Sequence, residues 1–366
     1  MIPVYKPYLT QKSLKYAHDA IDSTWISSIG KYVKISEERL KDILDVKHVK
    51  LVNNGTSATH LVAKALLFRN PKIKNIIVPN NVYVAAWNAF LYENLNIIPI
   101  DACIKTWNMD YKYIPDYLSE STGICLVNNL GNINDVRKII KKYGKEKIVE
   151  DNCEGFLGIN DNKKAGTLSL ASSLSFFGNK NITSGEGGAF VTNDSEVFEY
   201  INSLQGQGQS KDKRYIHDKL GYNYRITNVQ AAILLGQLDS LKEISDNKER
   251  VFNLYRKKFL NIKNVRIQKQ EVNTKHSNWM MGIRILNNTS YENAKNFFLK
   301  HKIETRPMFY PISYHAHTKK YSNLNNEFIA TKLSKECIIL PSYPSLKESE
   351  INYIVKTVLE YIETLN

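Results

Sequence analysis

From about residue 48 onward, short β-rich runs recur with helical stretches between them: VKLV, IIVP, IIPID, ICLVNN, KIVED, SLSFF and GAFVTN. Alternation of this kind predicts an α/β fold, a mostly parallel sheet covered by helices. The segment after Gly55 places Ala58, Leu61, Val62, Ala65 and Leu66 at spacings of three and four, so it reads as a helix with that face buried.

A second helix is expected from Thr227, where Thr227 and Gln230 form a T-x-x-Q capping pattern ahead of AAILLGQLDSL. The charged run SDNKERVFNLYRKKF then reads as a long helix bridging to a second unit. With 366 residues the chain exceeds what one core usually serves. We therefore expect a large domain over residues 1–245 and a smaller α+β domain over 246–366, with the first twenty or so residues against the smaller one. VRIQ and GIRIL supply its strands, ENAKNFFLKH a helix, and LKESEINYIVKTVLEYI a last helix capped by Ser345 and Glu348.

The opening MIPVYKPYLT lacks a basic segment followed by an apolar run, and no stretch nears the eighteen or so apolar residues of a membrane span. A cytosolic protein without a membrane partner is expected. Cys103, Cys125, Cys153 and Cys337 stand far apart with no CxxC spacing, which argues against zinc or a disulfide framework. The net charge of +14 is spread through Lys/Asn/Ile-rich segments without a basic tail or aromatic-interleaved patch, so it reads as compositional, with a secondary benefit for binding diphosphates, and no nucleic-acid motif accompanies it.

Three stretches carry chemistry. In VNNGTSATHL a strand ends and Gly55-Thr56-Ser57 open a helix, whose free amides and dipole suit a phosphate; a simple capped turn is the alternative. In KIVEDNCEG, Asp151 closes a buried strand, and in open α/β sheets ligands gather at the carboxyl ends of strands. In SLSFFGNKNITSGEGGAF, Lys180 follows another strand in a polar, Gly-rich turn that lacks the order of a P-loop.

Together with VPNNVYVAAWNAF, DSTWISSIGKYV, LGYNYRITNVQAAILLGQL, ETRPMFYP and LPSYPSL, these motifs make the chain similar, in collinear order, to the DegT/DnrJ/EryC1/StrS aminotransferases. The resemblance implies fold-type I: a large domain with a mostly parallel, seven-stranded mixed sheet and a smaller C-terminal domain. It implies pyridoxal 5′-phosphate held by Lys180 as an imine, passing through the pyridoxamine form, with Asp151 facing the pyridine nitrogen. Tyr83 is then the ring-stacking aromatic, Gly55, Thr56, Ser57 and Ser175 hold the phosphate, and Glu154 meets the cofactor's 3′ oxygen. Asn223 would reach the phosphate of a neighbouring subunit in a homodimer with shared active sites. Trp25 and Arg306 are the expected substrate contacts.

The implied reaction is transamination of the C4 keto group of a nucleotide-linked 4-keto-6-deoxy sugar, with L-glutamate as donor and 2-oxoglutarate released. DSTWISS, SFFGNK and INSLQGQGQ resemble the branch that converts GDP-4-keto-6-deoxymannose to GDP-perosamine. UDP- or dTDP-linked sugars are the alternative substrates, and a non-catalytic binding protein on the same fold is the alternative class. Glu154 stands where many relatives carry Gln, so its carboxylate must share a proton or find a cation. His315 and His317 lack a third ligand and are read as a surface loop, and no metal is assigned.

Overall fold

The carboxyl ends of the predicted strands meet along one edge of a seven-stranded sheet. The computed structural model describes residues 1–322 and 327–365. The large sheet contains β1 (His48–Val52), β2 (Asn75–Pro79), β3 (Asn96–Ile100), β4 (Thr122–Val127) and β5 (Ile148–Asp151). A small three-stranded sheet follows, made of β6 (Ile159–Asn160), β7 (Lys163–Lys164) and the later β11 (Thr274–Lys275). The large sheet is completed by β8 (Ser172–Ser175) and β9 (Gly188–Thr192), in the order β1-β9-β8-β5-β4-β2-β3. Only β9 runs against the rest. Register carries the ends together: Val127 pairs with Asp151, Asp151 with Ser173, Ser175 with Gly188, and Gly188 with Val52.

Helices cover this sheet because its strands are buried on both faces, with continuous apolar runs in β2, β3 and β4. α1 (Gln11–Asp22) and α2 (Lys31–Leu44) pack on α7 (Asn228–Leu238). α3 (Gly55–Arg69) crosses β8 and β9, and α4 (Ala85–Leu91), α5 (Val136–Tyr143) and α6 (Ser195–Gln205) complete the layers. The expected face of α3 is buried, and Thr59, His60 and Ala63 on its other sides are buried too. α7 starts with the reciprocal Thr227/Gln230 capping box that the sequence predicts.

α8 (Leu241–Phe259) spans two cores. Its Ile244 packs with Leu238 and α2, while Val251, Phe252, Tyr255 and Phe259 pack in a C-terminal cluster. That cluster includes an antiparallel sheet of β10 (Val265–Arg266), β12 (Met281–Ile285), β14 (Cys337–Leu340) and β13 (Arg306–Pro307). α9 (Tyr291–Lys300), α10 (Phe328–Glu336) and α11 (Glu348–Glu363) surround it. The amino-terminal segment reaches the same region, where the Ile2 amide donates to the Lys302 carbonyl at 2.7 Å.

One terminus differs from expectation. α11 is capped at Lys347, whose amide donates to Glu350 at 2.8 Å, and not by Ser345 and Glu348. Leu346 is fully buried in the C-terminal core, which anchors the chain ahead of the first helical turn. All four cysteines are free thiols.

Candidate active site

The sheet edge opens into a cleft of about 570 Å³ lined on one side by Asp151, Ser175 and Lys180 and on the other by Met308 and Phe309. Gly55 and Thr56 enter its wall at the start of α3. These first-turn amides have no intrahelical acceptor, whereas the Ser57 amide donates to the Asn54 side chain at 2.8 Å. Ser57 is therefore spent on the cap and lies behind the wall, off the cleft surface. A Cβ at Gly55 would stand 2.8 Å from the Ser175 Cβ and 3.1 Å from the Cys153 sulfur, so only glycine lets this turn approach β8.

Asp151 is buried at the end of β5, and its Oδ1 accepts from the Cys153 amide at 3.0 Å and the Ser173 hydroxyl at 3.4 Å. Ser175 ends β8 and accepts from the Phe177 amide at 3.4 Å. Lys180 sits in the loop between β8 and β9, with its side chain 14% exposed. Its amine lies 3.9 Å from the centroid of the Trp279 ring and 4.0 Å from Glu154 Oε1. The other Glu154 oxygen accepts from the Leu130 amide at 2.8 Å, and Leu130 adopts φ +54° to direct that amide inward.

Glu154 is thus given both remedies that a buried carboxylate requires. The Lys180 ammonium is its cation, and burial pushes its proton affinity up to about 7 in spite of that neighbour. Tyr83 presents a ring 60% exposed at the cleft mouth, edge-on to Phe309 at 6.1 Å. Arg306 also lines the cleft, with its guanidinium 2.6 Å from Glu304.

Two expected contacts are elsewhere. Trp25 is 59% exposed away from the cleft, and its carbonyl accepts from Asn228 at 2.6 Å. Asn223 is exposed on a segment bridged to Gly206 and does not line this chain's cleft.

The structure adds residues that the sequence reading left out. Trp279, Met280 and Phe309 line the cleft from the C-terminal half of the chain; Phe309 falls within the ETRPMFYP motif, whereas nothing in the local pattern of Trp279 and Met280 marks them as site residues. His315 is a correction, since it lines the cleft edge-on to Trp87 at 5.4 Å instead of lying in a free surface loop. His317 bonds Asn88 at 2.9 Å on the outside.

Residues 7–359 match the model of the DegT/DnrJ/EryC1/StrS aminotransferase family. The chain belongs to this family. GDP-perosamine synthase of Escherichia coli O157:H7 is 35% identical over 364 residues, covering 98% of either chain. GDP-perosamine synthase of Vibrio cholerae is 33% identical over the full length of both. Among solved structures, Helicobacter pylori PseC, an aminotransferase involved in the biosynthesis of pseudoaminic acid, superposes with a TM-score of 0.91 at 25% identity, covering 99% of either chain. The family match extends from α1 into α11 and so includes every cleft residue named above. Among the described residues, no helix is long and apolar enough to cross a membrane.

Proposed function

We propose that this chain is a pyridoxal-phosphate-dependent nucleotide-sugar aminotransferase that converts the C4 ketone of GDP-4-keto-6-deoxymannose to the amine of GDP-perosamine, with L-glutamate as donor. The observation that carries the reading is the convergence of one amine, Lys180, one carboxylate, Asp151, and the open first turn of α3 in a single cleft. Full-length similarity to two GDP-perosamine synthases supports the GDP sugar over its UDP and dTDP counterparts.

The donor set fits the cofactor. Gly55 brings the first turn of α3 against Ser175 with no room for a side chain between them, the Lys180 amine lines the same cleft, and the exposed Tyr83 ring offers a stacking face. Bound pyridoxal phosphate would supply an electron sink and carry the amino group from donor to acceptor. Gly55, Thr56 and Ser175 would hold its phosphate, and Asp151 would keep a proton on its ring nitrogen. Lys180 would anchor the aldehyde carbon and, once displaced, move a proton on its Nζ, so that one residue acts as tether and general acid/base. Glu154 would sit beside the 3′ oxygen. Arg306 suits a diphosphate because its fork of donors remains half-exposed beside Glu304.

Asn223, exposed outside this chain's cleft, is proposed to serve the phosphate of a second copy in a homodimer, with Trp25 at the same interface. We place the enzyme in the cytosol and its domain division within α8, near residue 245. The test is an absorption spectrum of the purified protein, followed through addition of L-glutamate and then of each keto sugar nucleotide. We expect a cofactor band that glutamate converts and only the GDP sugar restores, and no such band in Lys180→Ala. A wild-type protein that takes up no cofactor would return the chain to a binding role.

A further inference from the structure

α8 is written as a charged run, yet Ile244, Val251, Phe252, Tyr255 and Phe259 recur at spacings that put position 248 on its apolar face. Lys248 is accordingly 1% exposed. Its amine donates to the carbonyls of Trp279 at 2.7 Å and Ser342 at 2.5 Å. The Tyr5 and Phe252 rings lie 5.4 and 5.3 Å from it. Burial drives its proton affinity well below that of an ordinary lysine. A methionine would fill this space without that penalty, so the donors of Lys248 are the reason for a lysine here.

Two of these four neighbours touch Lys180. The Trp279 ring lies beneath the Lys180 amine at 3.9 Å, and its indole N–H donates to the Asn179 carbonyl at 2.8 Å. The Tyr5 hydroxyl donates to the Lys180 carbonyl at 2.7 Å. Lys248 does not itself line the cleft.

We propose that Lys248 is a positioning residue for Lys180: it holds Trp279 by the backbone and Tyr5 by the ring, and through them fixes the direction of the Lys180 amine. The inference rests on the reading of Lys180 as the reacting amine. Loss of the Lys248 donors frees Trp279 to slip, and the Lys180 amine then loses the aromatic face that holds it in place.

The full-length, cofactor-free protein can be labelled with trace acetic anhydride at one fixed pH and read by mass spectrometry at Lys180, with exposed Lys141 as internal standard. In Lys248→Met we expect Lys180 labelling relative to Lys141 to rise about threefold, because the amine is no longer held against the Trp279 ring. Trp279→Leu should give the same rise, and the double variant no more than either alone. Unchanged Lys180 labelling in a folded Lys248→Met protein overturns the proposal, and so does an additive double variant. Should the methionine variant not fold, Lys248→Arg keeps a donor but misplaces it and must change labelling in the same direction, or the proposal fails. A wild-type protein without a cofactor band sinks the reading of Lys180, whereas a normal band with unmoved labelling sinks only the role of Lys248.

Discussion

The floor and the rim of the cleft are built on different terms. On the floor, Asp151, Ser175 and Glu154 are buried, and each is fixed by hydrogen bonds within the chain. On the rim, Tyr83 and Phe177 are substantially exposed and Arg306 pairs with Glu304, while Trp25 and Asn223 do not line the cleft. The floor is preorganised before anything binds, as chemistry at a fixed atom requires. The rim keeps exposed surface, where a large nucleotide can be received.

The contrast breaks first at Lys180. Lys180→Ala is expected to lower turnover by about 10⁴-fold or more with little change in thermal stability, because on the proposed reading the lost side chain is anchor and proton carrier. Product formation and a melting curve together check this. Asp151→Asn should cost about 10²- to 10³-fold in kcat while the fold persists, since the amide oxygen can still accept from Cys153 and Ser173.

Glu154 tests the electrostatics of the floor. Its folded-state proton affinity lies near 7, above the value of about 4.5 for a free glutamate, so its protonated form stabilises the fold at low pH and that contribution is lost as pH rises from about 4.5 through 7. Glu154→Gln in the cofactor-free protein should remove this loss. The gap in stability between variant and wild type should grow by up to about 3 kcal/mol over that window, read from melts at stepped pH. A gap independent of pH would mean that the Lys180 pair keeps the carboxylate charged throughout.

On the rim the effects should be smaller. Arg306→Ala is expected to raise KM for the nucleotide sugar about tenfold with kcat little changed, the mark of binding shared by ground and transition states. Trp25→Ala should change KM by no more than about threefold at saturating protein concentration, and more on dilution if it lies between copies. A kcat loss at Arg306 larger than that at Asp151 would reverse the floor and rim assignments.

The floor was also the legible part of the sequence. Each of its residues lies at a strand end or within three residues of one, and parallel strands deliver their carboxyl ends to one edge, which brings EDNCEG and SFFGNK together, with VNNGTS joined through β9. What lines the cleft from the C-terminal half could not be read in the same way. Trp279 and Met280 come from chain a hundred residues after Lys180, and only tertiary packing brings them back. His315 gives no local signal of its place in the cleft, because a histidine pair without a third ligand reads as surface. Lys248 was hidden by composition, although the periodicity of its neighbours marked its face as buried.

The path of the amino terminus has a practical consequence. Ile2 is clipped between Lys302 and Glu304, and Tyr5, three residues later, is bonded to the backbone carbonyl of Lys180. Residues fused before Met1 therefore load a segment that ends on Lys180, and on the proposed reading of that lysine a purification tag there bears on the active site. An enzyme assayed with and without such an extension is being compared with a variant of itself.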